Sequence, residues 1–303
     1  MLRHLISIAD LARGDVERIL ERARTAERST ALRGKLVLSL FFESSTRTSS
    51  SFELAAKRLG ADVTAFRAGG SSVDKGESLK DTVLTLAQYG PDAIVVRHPR
   101  IGAPELVARH CGAAVVNAGD GKRAHPTQAL LDLYTIREAL CHGDTGRLDG
   151  LHVAIVGDVL HSRVARSLVQ ALALVGARTT LVGPPTLLPR GIETLGCATS
   201  TEIGAIADAD VVYVLRMQRE RMESAFVPSL REYAARWGIT PERLRPGQKV
   251  MHPGPINRGV EIDARVADSP DSLILEQVHA GLAVRMAVLE ELLVARPALE
   301  VVA

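Results

Sequence analysis

Short apolar runs alternate with amphipathic stretches along most of the chain. The runs are rich in Val, Ile, Leu and Ala, and most lack the regular polar positions of a strand with one face in water. Such runs are typical of strands in a parallel sheet that helices cover on both faces. The predicted strands are 35–42, 61–66, 93–96, 114–118, 152–156, 179–182, 197–199, 211–215 and 249–251.

Apolar residues at helical spacing follow most of these strands. Upstream of the first strand, Ser7 and Asp10 have the spacing of a capping box, which opens a helical stretch running to about Arg28. We expect Gly14 to split that stretch into two helices. The other predicted helices are 46–59, 77–89, 103–110, 125–140, 162–175, 201–207, 230–237 and 273–295.

A polar, glycine-bearing segment at 142–147 interrupts the alternation, which then restarts. The chain is therefore divided into two parts of similar size, each with its own series of strands and helices. We predict an α/β protein with two doubly wound parallel-sheet domains, 1–142 and 143–272, and with the active site in the cleft between them.

Charge, cysteine content and the length of apolar runs bear on the protein's partners and cellular compartment. The chain has 303 residues, and its 37 basic and 35 acidic side chains give a net charge of +2, which argues against a nucleic-acid partner. Cys111, Cys141 and Cys197 are far apart and have no metal-ligand spacing, and an odd number of cysteines suits a reducing compartment. Because no apolar run has the length of a membrane span, we expect a cytoplasmic protein without membrane contact.

Hydroxyl and guanidinium groups follow the first predicted strand, at the start of a predicted helix. Ser45, Thr46 and Thr48 offer hydroxyl donors, and Arg47 offers a planar fork that fits a phosphate. The first-turn N–H groups and the helix dipole also favour an anion there. The alternative is an ordinary Ser/Thr helix cap with a surface arginine.

Other strand ends carry further cations, namely Lys75, Arg97, Arg163 and Arg216. Because ligands bind at the carboxyl ends of parallel strands, this set indicates a site for a small, highly charged anion. His125 opens a predicted helix, and it is equally well read as a core or helix-start residue or as a donor to a carbonyl oxygen.

Several other chemistries lack their signatures in the sequence. Only Gly157 is present of the three glycines in a dinucleotide fingerprint, and there is no P-loop motif. No G-x-S-x-G elbow and no H-x-x-x-H pair occurs. Charge stabilisation and positioning are therefore favoured over a covalent nucleophile.

Segment 41–48 resembles the carbamoyl-phosphate motif of the aspartate/ornithine carbamoyltransferases. Segments 97–99 and 125–128 resemble the next two motifs of that family, in order, and the resemblance covers nearly the whole chain. The loop around Lys75, the segment 216–218 and the turn 252–255 are similar to the aspartate-type members. Arg163 and Arg216 also suit the two carboxylates of L-aspartate better than the ammonium group of ornithine.

The resemblance implies transfer of the carbamoyl group from carbamoyl phosphate to the amino group of L-aspartate, giving N-carbamoyl-L-aspartate and phosphate in pyrimidine biosynthesis. It implies no metal and no organic cofactor. The alternatives are a carbamoyltransferase for another amino acid such as ornithine, and a non-catalytic scaffold that binds a phosphometabolite.

The resemblance also assigns site residues, which fall into three groups. The carbamoyl-phosphate residues would be Ser45, Thr46, Arg47, Thr48, Ser71, Lys75, Arg97, His125, Gln128, Gly254 and Pro255. The aspartate residues would be Lys75, Arg163, Arg216 and Gln218. The catalytic residues would be Thr48, Lys75, Arg97 and His125.

Assembly and domain roles follow from the same resemblance. It implies a homotrimer in which Ser71 and Lys75 reach into a neighbouring subunit's site, and it leaves open whether a regulatory chain or a dihydroorotase joins the trimer. Domain 1–142 would bind carbamoyl phosphate and domain 143–272 aspartate, and helix 273–303 would pack back on the first. Ser49 stands where many relatives have arginine, which we expect to alter stability or affinity rather than the chemistry.

Overall fold

The computed structural model describes residues 2–67, 76–141, 148–218 and 226–294. The chain forms two compact units, the first comprising Met1–Leu130 with Ala280–Ala303 and the second Leu131–His279. Each unit is built on one sheet, and all strand pairs in both sheets are parallel. The predicted architecture of two parallel-sheet α/β domains is therefore confirmed.

The sheet of unit 1 has four strands in the order β2-β1-β3-β4. Apolar residues of β1, β3 and β4 form a buried cluster with Val83, Leu86 and Val107 from two covering helices. The strands are β1 (Leu36–Phe41), β2 (Asp62–Arg67), β3 (Ala93–His98) and β4 (Ala114–Asp120). The helices up to the unit boundary are α1 (Arg13–Arg24), α2 (Thr46–Arg58), α3 (Leu79–Ala87), α4 (Ala103–His110) and the start of α5 (Pro126–Leu140).

The sheet of unit 2 has five strands in the order β7-β6-β5-β8-β9. Its central strands are buried along their whole length, which explains their continuous apolar sequence. The strands are β5 (His152–Val156), β6 (Arg178–Val182), β7 (Ala198–Ser200), β8 (Val211–Val214) and β9 (Lys249–Met251). The further helices of the chain are α6 (Arg163–Leu174), α7 (Leu230–Trp237), α8 (Ala264–Ala267) and α9 (Ile274–Leu293).

The end of α9 belongs to unit 1. There the Arg285 guanidinium lies 5.1 Å from the centre of the Phe52 ring. A guanidinium nitrogen of Arg18 on α1 is 3.3 Å from a carboxylate oxygen of Glu291. These contacts join the last helix to the first two helices of the same unit.

The N-terminal helical stretch differs from the prediction at Gly14. The capping box is confirmed, since the Asp10 carboxylate accepts from the Ser7 amide at 3.0 Å. However, the break precedes Gly14, because the Asp15 carboxylate accepts from the Ala12 amide at 2.8 Å and starts α1 there. The expectation that Gly14 separates two helices was wrong, and this glycine lies in the first turn of α1.

A second difference is local. The predicted helix at 201–207 is a single 3-10 turn, Ile203–Ile206. It connects β7 to β8, and Ile206 is its buried residue. Within the described ranges, no helix is both long and apolar enough to span a membrane.

The strand order places a switch point in each unit. In unit 1, β1 is followed by β2 on one side and by β3 and β4 on the other. In unit 2, β5 is followed by β6 and β7 on one side and by β8 and β9 on the other. Because ligands of open α/β sheets bind beyond the carboxyl ends of such diverging strands, we expect ligands at the ends of β1 and β3 in unit 1 and at the ends of β5 and β8 in unit 2.

Candidate active site

The end of β1 leads directly into the start of α2. Ser45 occupies the N-cap position, but within the described residues its side chain makes no capping hydrogen bond. The Ser49 hydroxyl instead donates to the Ser45 carbonyl oxygen at 2.8 Å. Thr48 is buried, whereas Thr46 and Arg47 are exposed. Ser45 therefore does not act as a side-chain cap here, and a helix start of this kind can bind an anion through its first N–H groups.

Arg97 lies at the end of β3, in register with the last residue of β1, Phe41. Its Nε donates to Glu43 at 3.2 Å, and a terminal nitrogen donates to the Ala118 carbonyl oxygen at 3.3 Å. The Arg97 side chain is only 15% exposed. The guanidinium is thus held beside the start of α2 by contacts from the ends of β1 and β4.

His125 is delivered by a loop that Asp120 organises. The fully buried Asp120 carboxylate accepts from the Asn117 amide group at 2.9 Å and from the Ala124 N–H at 3.1 Å. Its second oxygen accepts from the Gly102 N–H at 3.0 Å. His125 is buried next to this loop, at the residue before α5. These hydrogen bonds fix the backbone of the loop from which the buried His125 side chain projects.

Gln128 lies in the first turn of α5 and is buried. Its N–H donates to the His125 carbonyl oxygen at 3.0 Å, so both residues share one rigid helix start. Unit 1 therefore brings together, along one sheet edge, most of the predicted carbamoyl-phosphate residues: Ser45, Thr46, Arg47, Thr48, Arg97, His125 and Gln128.

In unit 2, the loops after β5 and β8 are joined by Asp158. Its carboxylate accepts from the Gln218 N–H at 3.3 Å, and the other oxygen lies 2.8 Å from His161 Nδ1. Ser162 caps α6 by accepting from the Ala165 N–H at 3.1 Å, which starts that helix at Arg163.

The two predicted aspartate-binding arginines follow these neighbouring strands. Arg163 is buried in the first turn of α6, and Arg216 is half-buried two residues after β8. Two guanidinium groups at one sheet edge suit a dicarboxylate, because each can form paired charge-assisted hydrogen bonds. Gly254 and Pro255 lie in the turn after the adjacent strand β9. Ser71 and Lys75 lie outside the described residues.

Gly157 is required at the end of β5, and replacing it by alanine is expected to destabilise the protein by about 3 kcal/mol. Its φ is +123°, and an added Cβ would lie 2.9 Å from the Tyr233 hydroxyl and 3.1 Å from the Leu215 carbonyl oxygen. The Tyr233 side chain is fully buried, which raises the pKa of its phenol, so it meets the added methyl as a fixed neutral group.

Gly150→Ala is the matched control for this prediction. Gly150 also has a positive φ of +81°, but no described heavy atom lies within 4 Å of the position of its Cβ. Its replacement should cost about 1 kcal/mol, from backbone strain alone. Thermal unfolding of both variants checks the prediction, and equal losses of melting temperature would contradict it.

The sequence interpretation missed three groups that organise these edges: Glu43, Asp120 and Asp158. Each is an acidic residue at a strand end that already carries a predicted ligand-binding residue. Glu43 pairs with Arg97 from the end of the neighbouring strand, and no local sequence spacing marks that pair. In the described part of the chain, no three His, Cys, Asp or Glu side chains come together as metal ligands would.

Taken together, the edge of unit 1 offers backbone, hydroxyl, guanidinium and imidazole donors to an oxyanion. The edge of unit 2 offers two guanidinium groups. Such donors stabilise negative charge that develops during an acyl or phosphoryl transfer, without a covalent intermediate.

Family models match both units. The carbamoyl-phosphate-binding domain of the aspartate/ornithine carbamoyltransferases matches residues 3–138, and the Asp/Orn-binding domain matches residues 149–292. An aspartate carbamoyltransferase catalytic subunit of Acidothermus cellulolyticus is 56% identical, over 97% of this chain and 93% of the relative. One from Salinispora arenicola is 55% identical, over 97% and 98%.

Solved structures that are similar to this chain are of the same kind of enzyme as the sequence relatives. Aspartate transcarbamoylase from Trypanosoma cruzi, in complex with N-(phosphonacetyl)-L-aspartic acid, superposes with a TM-score of 0.85 at 32% identity, covering 96% of both chains. The catalytic subunit of the M. jannaschii enzyme superposes with a TM-score of 0.83 at 38% identity, covering 96% of this chain and 98% of that one. The chain belongs to the aspartate/ornithine carbamoyltransferase family.

Proposed function

We propose that this protein is an enzyme that transfers the carbamoyl group of carbamoyl phosphate to the α-amino group of L-aspartate, in pyrimidine biosynthesis. The observation that carries the proposal is the location of the charged donors. Arg97 is held at the end of β3 by Glu43, and His125 follows the adjacent strand β4. Arg163 and Arg216 follow the adjacent strands β5 and β8 of the second sheet. The first set suits a phosphate with a neighbouring carbonyl, and the second suits a dicarboxylate.

In this proposal, carbamoyl phosphate is held by the edge of unit 1. The phosphate occupies the start of α2, where Ser45, Thr46, Arg47 and Thr48 supply donors. The carbamoyl carbonyl oxygen accepts from Thr48, Arg97 and His125, which makes its carbon more electrophilic. Gln128 and the backbone of 253–255 bind the carbamoyl amide group.

The reaction needs no covalent enzyme intermediate. The neutral α-amine of aspartate, whose carboxylates are bound by Arg163, Arg216 and Gln218, attacks the carbamoyl carbon. A new C–N bond forms, and the negative charge on the former carbonyl oxygen is stabilised by the donors of unit 1. The C–O bond to phosphate then breaks, phosphate leaves with the bonding electron pair, and it takes the proton lost by the amine.

Phosphate release tests the proposed function. The purified protein is incubated with carbamoyl phosphate and either L-aspartate or L-ornithine, and inorganic phosphate is measured over time. We expect release with aspartate that clearly exceeds the spontaneous decomposition of carbamoyl phosphate. Release with ornithine alone would favour the other amino-acid specificity, and release with neither would favour the non-catalytic scaffold.

Assembly and domain roles are further parts of the proposal. The sequence resemblance supports a cytoplasmic homotrimer in which Ser71 and Lys75 complete a neighbour's site. It also supports a carbamoyl-phosphate-binding domain at 1–142, with the helix 273–303 packed on it, and an aspartate-binding domain at 143–272. Light scattering is expected to give about three times the chain mass of 32.5 kDa. A mass equal to one chain would contradict the trimer, and a larger one would indicate a higher assembly.

A further inference from the structure

The turn after β9 has an unusual supply of hydrogen-bonding groups. Pro253 and Pro255 have no N–H, so Gly254 carries the one backbone N–H of the segment 253–255. That N–H donates to Nδ1 of His252 at 2.8 Å. The one N–H of the turn is therefore bound within the protein, which leaves carbonyl oxygens as the backbone groups that the turn can offer to a ligand.

The same hydrogen bond determines which ring nitrogen of His252 carries the proton. Because Nδ1 accepts from Gly254, the proton lies on Nε2, which is 3.3 Å from a carboxylate oxygen of Glu261. Both side chains are completely buried. The imidazole is thus held in one tautomer between the turn and a buried acceptor.

Glu261 also holds the far end of the turn. One carboxylate oxygen accepts from the Asn257 N–H at 2.6 Å, and the other accepts from the Asn257 side-chain amide at 3.1 Å. The residues on either side of 253–255, His252 and Asn257, therefore both contact one buried carboxylate. Such fully satisfied buried networks favour a single local conformation.

A second buried chain of hydrogen bonds anchors the start of the turn. The His252 N–H donates to Gln277 Oε1 at 2.9 Å, and the Gln277 amide group donates to Asp132 at 2.7 Å. The other Asp132 oxygen accepts from the Tyr213 hydroxyl at 2.8 Å. All of these residues belong to unit 2, and Asp132, Tyr213 and Gln277 are buried.

We propose that His252 and Glu261 are positioning residues, which keep the Gly254 N–H bound within the protein so that the turn 253–255 offers a ligand only hydrogen-bond acceptors. The turn then selects a ligand that bears an amide NH2 over one that bears a methyl group in its place. This inference rests on the proposed function, because it concerns how the carbamoyl group of carbamoyl phosphate is recognised. Acetyl phosphate has the same shape but presents a methyl group, which leaves the carbonyl oxygens of the turn without donors.

The test compares carbamoyl phosphate with acetyl phosphate. The KM for carbamoyl phosphate is measured at saturating aspartate, and acetyl phosphate is titrated as a competitive inhibitor to give its Ki. The ratio of the Ki of acetyl phosphate to the KM of carbamoyl phosphate measures how strongly the protein prefers the NH2 group over the methyl group. His252→Leu frees the Gly254 N–H, and we expect the ratio to fall about tenfold, because KM rises while Ki changes less than twofold.

His252→Asn is the conservative variant. An asparagine Oδ1 lies near the position of Nδ1 and can accept from the Gly254 N–H, so this variant should recover most of the ratio lost in His252→Leu. Glu261→Gln keeps the size of the side chain but presents an NH2 group to one of the donors from His252 or Asn257. It should lower the ratio about fivefold, with KM for aspartate changed less than twofold.

His152→Leu is the matched control, because His152 is also a buried histidine of unit 2. It lies at the first residue of β5, and its Nε2 is 2.8 Å from the Thr180 hydroxyl oxygen. This variant should lower the melting temperature without changing the ratio.

Each outcome decides the inference. An unchanged ratio in His252→Leu, or an equal loss in the His152→Leu control, overturns it. If His252→Leu does not fold, an unchanged ratio in Glu261→Gln overturns it. A wild-type protein that releases no phosphate from carbamoyl phosphate and aspartate overturns the proposed function as well, whereas an active wild type with an unchanged ratio overturns the positioning role alone.

Discussion

Arg97→Met is expected to lower kcat by about 10³-fold. The guanidinium is held at the end of β3 by Glu43 and by the Ala118 carbonyl oxygen. In the proposed reaction it contacts both the leaving phosphate and the carbonyl oxygen, where negative charge develops. Its loss therefore removes stabilisation that grows towards the transition state.

Steady-state kinetics with phosphate detection check this prediction. Arg100→Met is the control, because Arg100 is exposed and follows the same strand by two residues. It should leave kcat within twofold of the wild type. Arg97→Lys should recover only a small part of the activity, since a lysine cannot donate to two oxygens in a fixed plane. Wild-type turnover in Arg97→Met, with the variant shown to be folded, would remove this residue from the chemical step.

Arg216→Met is expected to lower kcat/KM for aspartate by about 10²–10³-fold, mainly through a higher KM, while KM for carbamoyl phosphate changes little. Arg216 follows β8, where the neighbouring loop after β5 supplies Arg163. In the proposal these two guanidinium groups bind the two carboxylates of aspartate. Removing one leaves a carboxylate in a partly desolvated position without its partner, which is costly.

Succinate makes this second prediction more specific. It has two carboxylates and no amino group, so its inhibition constant should rise in parallel with the KM for aspartate. Arg178→Met is the control, because Arg178 is an exposed arginine at the amino end of β6, opposite the edge that carries Arg216. A parallel loss of carbamoyl-phosphate binding, or an unchanged succinate constant, would refute the assignment of Arg216 to a carboxylate.

The sequence predicted well those strands whose hydrophobic pattern follows directly from their own burial. The run 93–96 is continuously apolar because β3 is buried on both faces, and β4 and β5 follow the same rule. The helix boundaries near Gly14 were predicted less well, because glycine weakens a helix by a modest amount and the Asp15 side chain starts α1 before it.

Candidate ligand-binding residues could also be predicted from the sequence, for a geometric reason. A parallel sheet places all carboxyl ends at one edge, so a polar residue after any strand is a candidate before the strand order is known. The acidic residues that hold the site residues and loops in place could not be predicted in the same way. Glu43 contacts Arg97 across 54 positions of sequence, and the Asp120 carboxylate accepts from Gly102 across 18. Neither pair has a spacing that a local rule recognises.

By itself, then, the sequence determined the two series of strands and helices, the family and the set of charged groups at strand ends, because each depends on short-range pattern or on ordered motifs. The tertiary structure decided the strand order that creates the two switch points, the ion pair between Arg97 and Glu43, and the buried His252–Glu261 pair next to the turn after β9. These features depend on distances between side chains from separate elements, and such distances exist only once the sheets have assembled around their buried cores.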